Sequence, residues 1–161
     1  IGKAIAKRCH FGFDMNVVFF NRSEVQEFEV PCHQLDSIEE VMEFADVVVL
    51  ALPATPATRH IIGAAQLAEM QSHAILVNIA RGDIVDEAAL ITALQKHQIA
   101  GAGLDVYENE PQVPQALIDL PNCSLLPHLG TAALEVRDSM GGMAFDNLIA
   151  FSQGRPLPNE I

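Results

Sequence analysis

Four residues in the second half of this 161-residue chain have types and positions that could serve one reaction. Arg81, Asp105 and His128 each stand at or just after the end of a short apolar run, and Glu110 follows Asp105 in the same loop. A guanidinium can hold a carboxylate with two parallel hydrogen bonds, and an imidazole beside a carboxylate can donate a proton near neutral pH. Such a set suits hydride transfer from a nicotinamide to the carbonyl of an oxo acid.

Each of these residues also has a simpler explanation. A surface Arg more often pairs with a nearby acid, an acid at a strand end is common, and a loop histidine usually finds a hydrogen-bond partner. The catalytic hypothesis therefore depends on the three loops meeting. Loops that follow parallel strands do meet, because the carboxyl ends of those strands share one edge of the sheet.

The apolar runs alternate with longer segments of helical period, which is typical of βαβ units around a parallel sheet. Most of the runs are apolar at every position, as in strands that helices cover on both faces. The predicted strands are 16–20, 47–52, 74–79, 100–105 and 123–126. The sequence therefore predicts one α/β domain over residues 1–161, with a doubly wound, Rossmann-like parallel sheet.

Helices are predicted between these strands. The first carries an apolar stripe of Ile1, Ile5 and Cys9. The side chains that can cap the next three helices are Asp36 or Ser37, then Asp86, then Thr131. The last helix has two consecutive glycines in its middle, which are expected to weaken it, and it is expected to end at Gly154.

The start of the chain and a turn about 20 residues later could bind a dinucleotide. Ile1-Gly2-Lys3-Ala4-Ile5-Ala6 looks like the tail of G-x-G-x-x-G, with Gly2 as the third glycine, which allows a helix to pack closely on a strand. Where a residue should meet the adenosine ribose, the chain has Asn21-Arg22-Ser23. An acid there would bind a 2′-hydroxyl, whereas Arg22 and Ser23 offer positive charge and donors to a 2′-phosphate. NADP(H) is therefore favoured, with NAD(H) possible, although an ordinary polar turn would have the same composition.

The composition of the chain argues against several classes of function. The 21 acidic against 9 basic residues and the net charge of −12 argue against the basic face that nucleic-acid binding needs. No apolar run approaches the roughly 20 residues of a membrane span. Three widely spaced cysteines favour a reducing compartment such as the cytoplasm. The pairs Cys9-His10 and Cys32-His33 match no zinc spacing, so no metal is expected.

Several ordered motifs along the chain resemble those of one enzyme family, the D-isomer-specific 2-hydroxyacid dehydrogenases. They are Asn78-Ile79-Ala80-Arg81-Gly82 with Val85-Asp86-Glu87-Ala88-Ala89-Leu90, then Gly103-Leu104-Asp105-Val106-Tyr107-Glu108-Asn109-Glu110-Pro111, Pro127-His128-Leu129-Gly130-Thr131, and the earlier Ala45–Pro53 with Thr55–His60. The likeness runs from Ile1 to Asn159. Within the family, the turn at residues 21–23 resembles that of NADPH-preferring glyoxylate/hydroxypyruvate reductases, including bacterial 2-ketogluconate reductases.

The resemblance implies a role for each motif residue. Arg81 would hold the carboxylate and carbonyl of a small 2-oxo acid, His128 would be the acid/base, and Glu110 would be the partner of the histidine. Asp105 would hold the nicotinamide end of the cofactor, and Ile1 would offer its amide to the pyrophosphate. The other residues implied to line the cofactor groove are Leu52, Pro53, Thr58, Ile79, Ala80 and Gly130, together with Arg81 and His128.

The resemblance also concerns assembly and the ends of the chain. It implies a homodimer built largely through the cofactor domain. The family's first strand, its first two glycines and most of its smaller substrate domain are expected before Ile1, so the predicted sheet is truncated at its N-terminal strand. An alternative function is a non-catalytic assembly module, because the family resembles transcriptional corepressors that keep this dinucleotide-binding domain.

Overall fold

Parallel strands and helices alternate along the chain in the computed structural model, which describes residues 1–26 and 28–160. The chain divides into two units, Ile1–Pro127 and His128–Ile161. The strands, all in the first unit, are β1 (Val17–Phe19), β2 (Cys32–Gln34), β3 (Val47–Leu50), β4 (Ile75–Asn78), β5 (Gly101–Leu104) and β6 (Cys123–Leu125). The helices are α1 (Gly2–Phe13), α2 (Ile38–Phe44), α3 (Ala64–Glu69), α4 (Glu87–Gln95) and α5 (Gln115–Ile118) in the first unit, with a 3₁₀ turn at Gly82–Ile84, and α6 (Leu134–Ser152) in the second.

The strands form two parallel sheets. Strands β3, β4, β5 and β6 lie side by side in that order, and β1 pairs with β2. Every pairing is parallel, which confirms the predicted α/β class and the five predicted strands. Strand β2 was not predicted, because Cys32-His33-Gln34 is not an apolar run. Helix α3 was not predicted either, since it has six residues and begins after Gly63, which has no side chain to cap it.

The core lies between the four-stranded sheet and the helices that follow its strands. Strand β4 is flanked on both sides, and Leu76 at its centre is fully buried. Leu67 of α3 and Leu94 of α4 are also fully buried, and these two helices pack against each other. Each such leucine contributes about 1.5–3 kcal/mol relative to an exposed side chain. This packing holds the strand ends, and the loops after them, in a fixed row.

Two of the predicted helix caps are confirmed. The Ser37 hydroxyl accepts a hydrogen bond from the Glu40 backbone N at 3.1 Å, and the Glu40 carboxylate accepts one from the Asp36 backbone N at 2.9 Å. The Asp86 carboxylate accepts one from the Ala89 backbone N at 3.0 Å. Each bond satisfies an amide that has no partner inside its helix, which is why these residue types mark helix starts.

The predictions for the first and last helices need correction. Ile1 is the N-cap of α1 and is 88% exposed, so the buried face of that helix is formed by Ile5, Ala6 and Cys9 instead. Helix α6 begins at Leu134 rather than after Thr131, because a turn closed by the bond from Ala132 N to Leu129 O at 2.9 Å comes first.

Helix α6 runs without a break through its two glycines, Gly141 and Gly142. It ends near Gly154, whose φ of 62° is left-handed, as predicted from the residue type. Within residues 1–26 and 28–160, no helix is both long and apolar enough to cross a membrane.

Candidate active site

The carboxyl ends of the four-stranded sheet form one row. The parallel registers place Leu50 opposite Asn78, Asn78 opposite Leu104, and Leu104 opposite Leu125. The residues just after these positions therefore share one edge of the sheet, as predicted. The candidate site residues at this edge are Leu52, Pro53, Ile79, Ala80, Arg81 and Asp105. His128 and Gly130 belong to the second unit, where both are exposed and His128 has a left-handed φ of 54°.

Asn78 organises the turn that carries Arg81. Its side chain is 1% exposed, yet both of its polar atoms are bonded: Nδ2 donates to the Arg81 carbonyl at 3.0 Å and Oδ1 accepts from Ala80 N at 3.0 Å. Its own carbonyl accepts from the Asp105 backbone N at 3.0 Å. Leaving these buried groups without partners would cost about 1–3 kcal/mol each, so the turn and the start of the Asp105 loop are held together.

The Arg81 side chain extends from this turn at an exposed position. Its Nη1 donates to the carbonyl of Ala80 at 2.6 Å. Among residues 1–26 and 28–160, no acid forms an ion pair with Arg81. The simpler explanation from the sequence, an Arg paired with a surface acid, is therefore not what this part of the structure shows. The guanidinium has N–H donors available for an anionic ligand.

Gly82 brings two loops into backbone contact. A Cβ atom on Gly82 would lie 1.9 Å from the carbonyl carbon of Tyr107 and 2.3 Å from the backbone N of Glu108, so only glycine fits here. The Tyr107 backbone N donates to Oε1 of Glu110 at 3.0 Å. Two of the predicted catalytic residues, Arg81 and Glu110, are thus attached to the same junction between the loops after β4 and β5.

Tyr107 also connects this junction to the end of β6. Its buried hydroxyl donates to the carbonyl of Leu126 at 2.8 Å. Burial is the main reason that the pKa of this phenol lies above its ordinary value, so the hydroxyl keeps its proton and remains a donor. Leu126 precedes His128 by two positions in the chain, and its carbonyl is fixed by this bond.

Three residues of this arrangement have no individual role predicted from the sequence: Asn78, Gly82 and Tyr107. Asn78 gave a usable signal, because it is a polar residue at the end of an apolar strand. Tyr107 is the only tyrosine in the chain, which is a weaker signal. The contact of Gly82 with Tyr107 joins residues far apart in sequence, so no local pattern indicates it.

A cluster of charged side chains lies behind the same junction. The Glu108 carboxylate is 2.9 Å from Nε2 of His60 and 3.6 Å from Nη2 of Arg59. The backbone N of His60 donates to the carbonyl of Asp83 at 2.8 Å. His60 therefore ties the loop after β3 to the loops after β4 and β5.

Glu87 adds a buried carboxyl group to this cluster. It accepts a hydrogen bond from the Glu108 backbone N at 3.3 Å and is 8% exposed. Burial raises the pKa of the Glu87 carboxyl above its ordinary value, and the nearby Glu108 carboxylate raises it further, whereas the hydrogen bond from Glu108 N opposes the shift. The folded protein therefore binds a proton at Glu87 more tightly than the unfolded chain does.

This shift gives a pH-dependent stability prediction for Glu87→Gln. Because the folded pKa is above the unfolded one, wild-type stability falls as the pH rises through the unfolded value towards the folded one. Glutamine cannot ionise and keeps an oxygen for Glu108 N. We expect urea unfolding to show similar stabilities near about pH 4 and a more stable Glu87→Gln protein near about pH 7.

A matched control for Glu87→Gln is Glu39→Gln. The hydrogen bond from Gln66 lowers the pKa of the exposed Glu39 carboxyl, so its removal should change stability slightly in the opposite direction at neutral pH. A Glu87→Gln protein that is less stable than wild type near neutral pH would contradict the assignment of Glu87 as a costly buried charge.

The residues predicted to meet the adenosine ribose lie in the turn after β1. Asn21 donates from Nδ2 to the carbonyl of Ser23 at 2.9 Å and approaches its hydroxyl at 3.3 Å, so the Asn21 amide closes the turn. Arg22 is exposed, and no ion pair with it occurs within residues 1–26 and 28–160. An exposed guanidinium beside a serine hydroxyl is a donor set that fits a phosphate.

Other predicted cofactor-binding residues lie in the turn after β3 and at the start of α1. The Thr58 hydroxyl donates to the Pro53 carbonyl at 2.9 Å and accepts from Thr55 N at 2.8 Å, which fixes the turn after β3. Ile1 and Gly2 stand at the exposed N-terminus of α1, where backbone amides are available to an anion. A Cβ on Gly2 would meet only Ala51 Cβ, at 3.9 Å, so this structure shows no close approach that requires glycine there.

Within the described ranges, 1–26 and 28–160, no group of three or more His, Cys, Asp or Glu side chains could hold a metal ion.

Comparison with protein families gives one match that covers most of the chain. The model of the D-isomer specific 2-hydroxyacid dehydrogenase, NAD binding domain, matches residues 1–130. Glyoxylate/hydroxypyruvate reductase B of Citrobacter koseri is 46% identical over 157 residues, which are 96% of this chain and 48% of that protein. Glyoxylate reductase of Thermococcus gammatolerans is 44% identical over 162 residues, covering 100% of this chain and 48% of that protein. The chain thus spans about half the length of these curated relatives.

Solved structures of other proteins are also similar to this chain. An NADPH-dependent glyoxylate/hydroxypyruvate reductase from Sinorhizobium meliloti, in complex with NADP and malonate, matches with a TM-score of 0.89 and 39% identity over 94% of this chain and 46% of that one. The holo form of Rhodotorula graminis D-mandelate dehydrogenase matches with a TM-score of 0.93 and 34% identity over 98% of this chain and 47% of that one.

Proposed function

The chain belongs to the D-isomer-specific 2-hydroxyacid dehydrogenases through their NAD-binding domain, and from this premise we propose that it is the cofactor-binding part of an NADP(H)-dependent 2-oxo acid reductase. The proposed substrates are small 2-oxo acids such as glyoxylate or hydroxypyruvate. The observation that carries the proposal is the exposed Arg81 guanidinium at the carboxyl edge of the sheet, held by the buried Asn78 and joined through Gly82 to the Glu110 loop. The curated relatives reported above are named as reductases, which favours an enzyme over the corepressor-like alternative.

Arg81 binds and polarises the substrate in this proposal. Its guanidinium forms two parallel hydrogen bonds with the substrate carboxylate and places the adjacent carbonyl oxygen within reach of its remaining donors. The Asn78 side chain fixes the Arg81 backbone, so part of the ordering cost of this arrangement is met before the substrate binds. When bound, the nicotinamide supplies a hydride to the carbonyl carbon.

His128 supplies the proton to the carbonyl oxygen. We assign Glu110 as the carboxylate that acts together with His128, as the family resemblance implies. Support comes from Tyr107, whose backbone N is bonded to the Glu110 carboxylate and whose hydroxyl is bonded to the carbonyl of Leu126, just before His128 in the chain. The overall change is one hydride added to carbon and one proton added to oxygen, which gives a 2-hydroxy acid.

The cofactor is assigned to the row of loops after the strands. Asp105 holds the nicotinamide end, and the groove between is lined by Leu52, Pro53, Thr58, Ile79, Ala80 and Gly130. Arg22 and Ser23 meet the 2′-phosphate, with Asn21 closing their turn. The similar enzyme from Sinorhizobium meliloti is described as NADPH-dependent and was solved with NADP, which supports the preference for NADP(H) over NAD(H).

The proposal extends to the assembly and compartment of the protein. A homodimer is supported by α6, whose apolar side chains are largely exposed, among them Leu148 at 65% and Phe151 at 77%. A cytoplasmic location is supported by three free cysteines, which fit a reducing compartment. The homodimer is tested by measuring the mass of the protein in solution.

Steady-state kinetics test the proposed function. The full-length protein that contains this chain is expected to oxidise NADPH in the presence of glyoxylate or hydroxypyruvate. Its kcat/KM for NADPH should exceed that for NADH by about tenfold or more, because charge-assisted hydrogen bonds to the 2′-phosphate contribute about 1.5–3 kcal/mol. No turnover with any small 2-oxo acid would overturn the enzymatic proposal, and a preference for NADH would overturn the cofactor assignment.

A further inference from the structure

Gln34, the last residue of β2, lies beside the turn that follows β1. The two strands are parallel and place Gln34 opposite Phe19. The backbone N of Leu35 donates to the carbonyl of Phe19 at 2.8 Å, which extends the pairing to the very end of β1. Because parallel strands end at the same edge, the half-buried Gln34 side chain points its amide towards residues 21–25.

The Gln34 amide spans that turn with three hydrogen bonds. Its Nε2 donates to the carbonyl of Asn21 at 3.0 Å and to the carbonyl of Ser23 at 3.1 Å. Its Oε1 accepts from the backbone N of Val25 at 3.0 Å. One side chain therefore satisfies two acceptors and one donor of the backbone, on both sides of Arg22 and Ser23. Only an amide has this combination of donors and acceptor.

The conformation of this turn decides which charge the ribose 2′ position meets. Arg22 and Glu24 carry opposite charges and are two positions apart, with the Ser23 hydroxyl between them. A rotation of the backbone would replace the Arg22 guanidinium, which attracts a phosphate, with the Glu24 carboxylate, which repels it. Holding both sides of the turn before the ligand arrives also removes part of the ordering cost of binding.

We propose that Gln34 is a positioning residue for nucleotide specificity, which holds Arg22 and Ser23 in the arrangement that selects a 2′-phosphate. It acts through the turn and does not touch the ligand. This inference rests on the proposed preference for NADP(H). In this proposal nucleotide specificity depends on β2, through Gln34, as well as on the turn at residues 21–23.

Calorimetric titration tests the proposal with two ligands that differ by one group, AMP and AMP carrying an additional 2′-phosphate. The full-length protein is compared with Gln34→Leu and Gln34→Met, two uncharged changes that each remove all three bonds. We expect both variants to bind the 2′-phosphorylated ligand about tenfold more weakly and AMP within about twofold of wild type. The matched control is Gln71→Leu, which removes a similar bond from Nε2 to the Glu43 carbonyl at 3.0 Å, and it should change neither affinity.

The two ligands separate specificity from general structural damage. Equal weakening of both ligands in the variants, or no weakening of either, would overturn the role of Gln34. Gln34→Met keeps the length of the side chain without adding a charge, so it tests the proposal even where Gln34→Leu does not fold. A wild-type protein that binds both ligands equally would overturn the cofactor assignment and this inference together. A wild type that distinguishes them, with variants that do so equally well, would overturn this inference alone.

Discussion

Replacing His128 with Gln is expected to lower kcat for 2-oxo acid reduction by about a hundredfold to ten-thousandfold, the usual contribution of a general acid. The change removes the proton donor and retains a polar side chain of similar size. Because the proposed site assigns the nucleotide mainly to loops of the first unit, its dissociation constant should stay within about threefold of wild type. Steady-state kinetics combined with NADPH titration measure both quantities.

The matched control for His128→Gln is His97→Gln. His97 is also an exposed histidine with a left-handed backbone, at φ 52° against 54° for His128, and it lies just after α4. Its substitution should leave kcat within about twofold of wild type. An unchanged kcat in His128→Gln would remove the residue from the proton-transfer step, and an equal loss in both variants would point to a general effect of changing a surface histidine.

The second large effect is expected from Gly82→Ala, which adds a single methyl group. That carbon would lie 1.9 Å from the Tyr107 carbonyl carbon and 2.1 Å from its oxygen, and both are backbone atoms that cannot rotate away. The loops after β4 and β5 must separate, at a cost of about 1–3 kcal/mol or more. Separation displaces both Arg81 and Glu110, so activity should fall more steeply than stability does.

Glycine substitutions in α6 provide the control for Gly82→Ala. A Cβ on Gly141 has no neighbour within 4 Å, and alanine is a better helix former than glycine by about 0.5–1 kcal/mol. Urea unfolding should therefore show Gly141→Ala to be as stable as wild type or more stable, and Gly82→Ala to be less stable. Equal stability of Gly82→Ala and wild type would mean that the two loops do not pack in solution as they do in this structure.

The sequence predicts those parts of the fold that depend on local patterns. The buried strands β3 and β4 are continuous apolar runs, and the caps Ser37 and Asp86 are residue types whose side chains bond nearby amides. The order of elements then implies that Arg81 and Asp105 share a sheet edge. Each of these predictions uses information within a few residues, or a rule of parallel sheets, and each is confirmed.

The features that the sequence does not predict depend on contacts between distant residues. Strand β2 consists of Cys32, His33 and Gln34, which acquire strand geometry from pairing with β1 and show no apolar pattern of their own. His60 is indistinguishable from a solvated histidine until its distance from Glu108 is known. The same holds for Gly82, whose need for glycine arises from the backbone of Tyr107.

Isotope transfer shows whether this chain serves hydride transfer to the carbonyl of a 2-oxo acid. The full-length protein is given hydroxypyruvate and NADPH deuterated at both hydrogens of nicotinamide C4, and the product is analysed by mass spectrometry and chiral chromatography. We expect D-glycerate with one deuterium on its C2 carbon, formed in the same amount as NADPH is oxidised. Oxidation of NADPH without deuterium in the product, or formation of the L isomer, would contradict it.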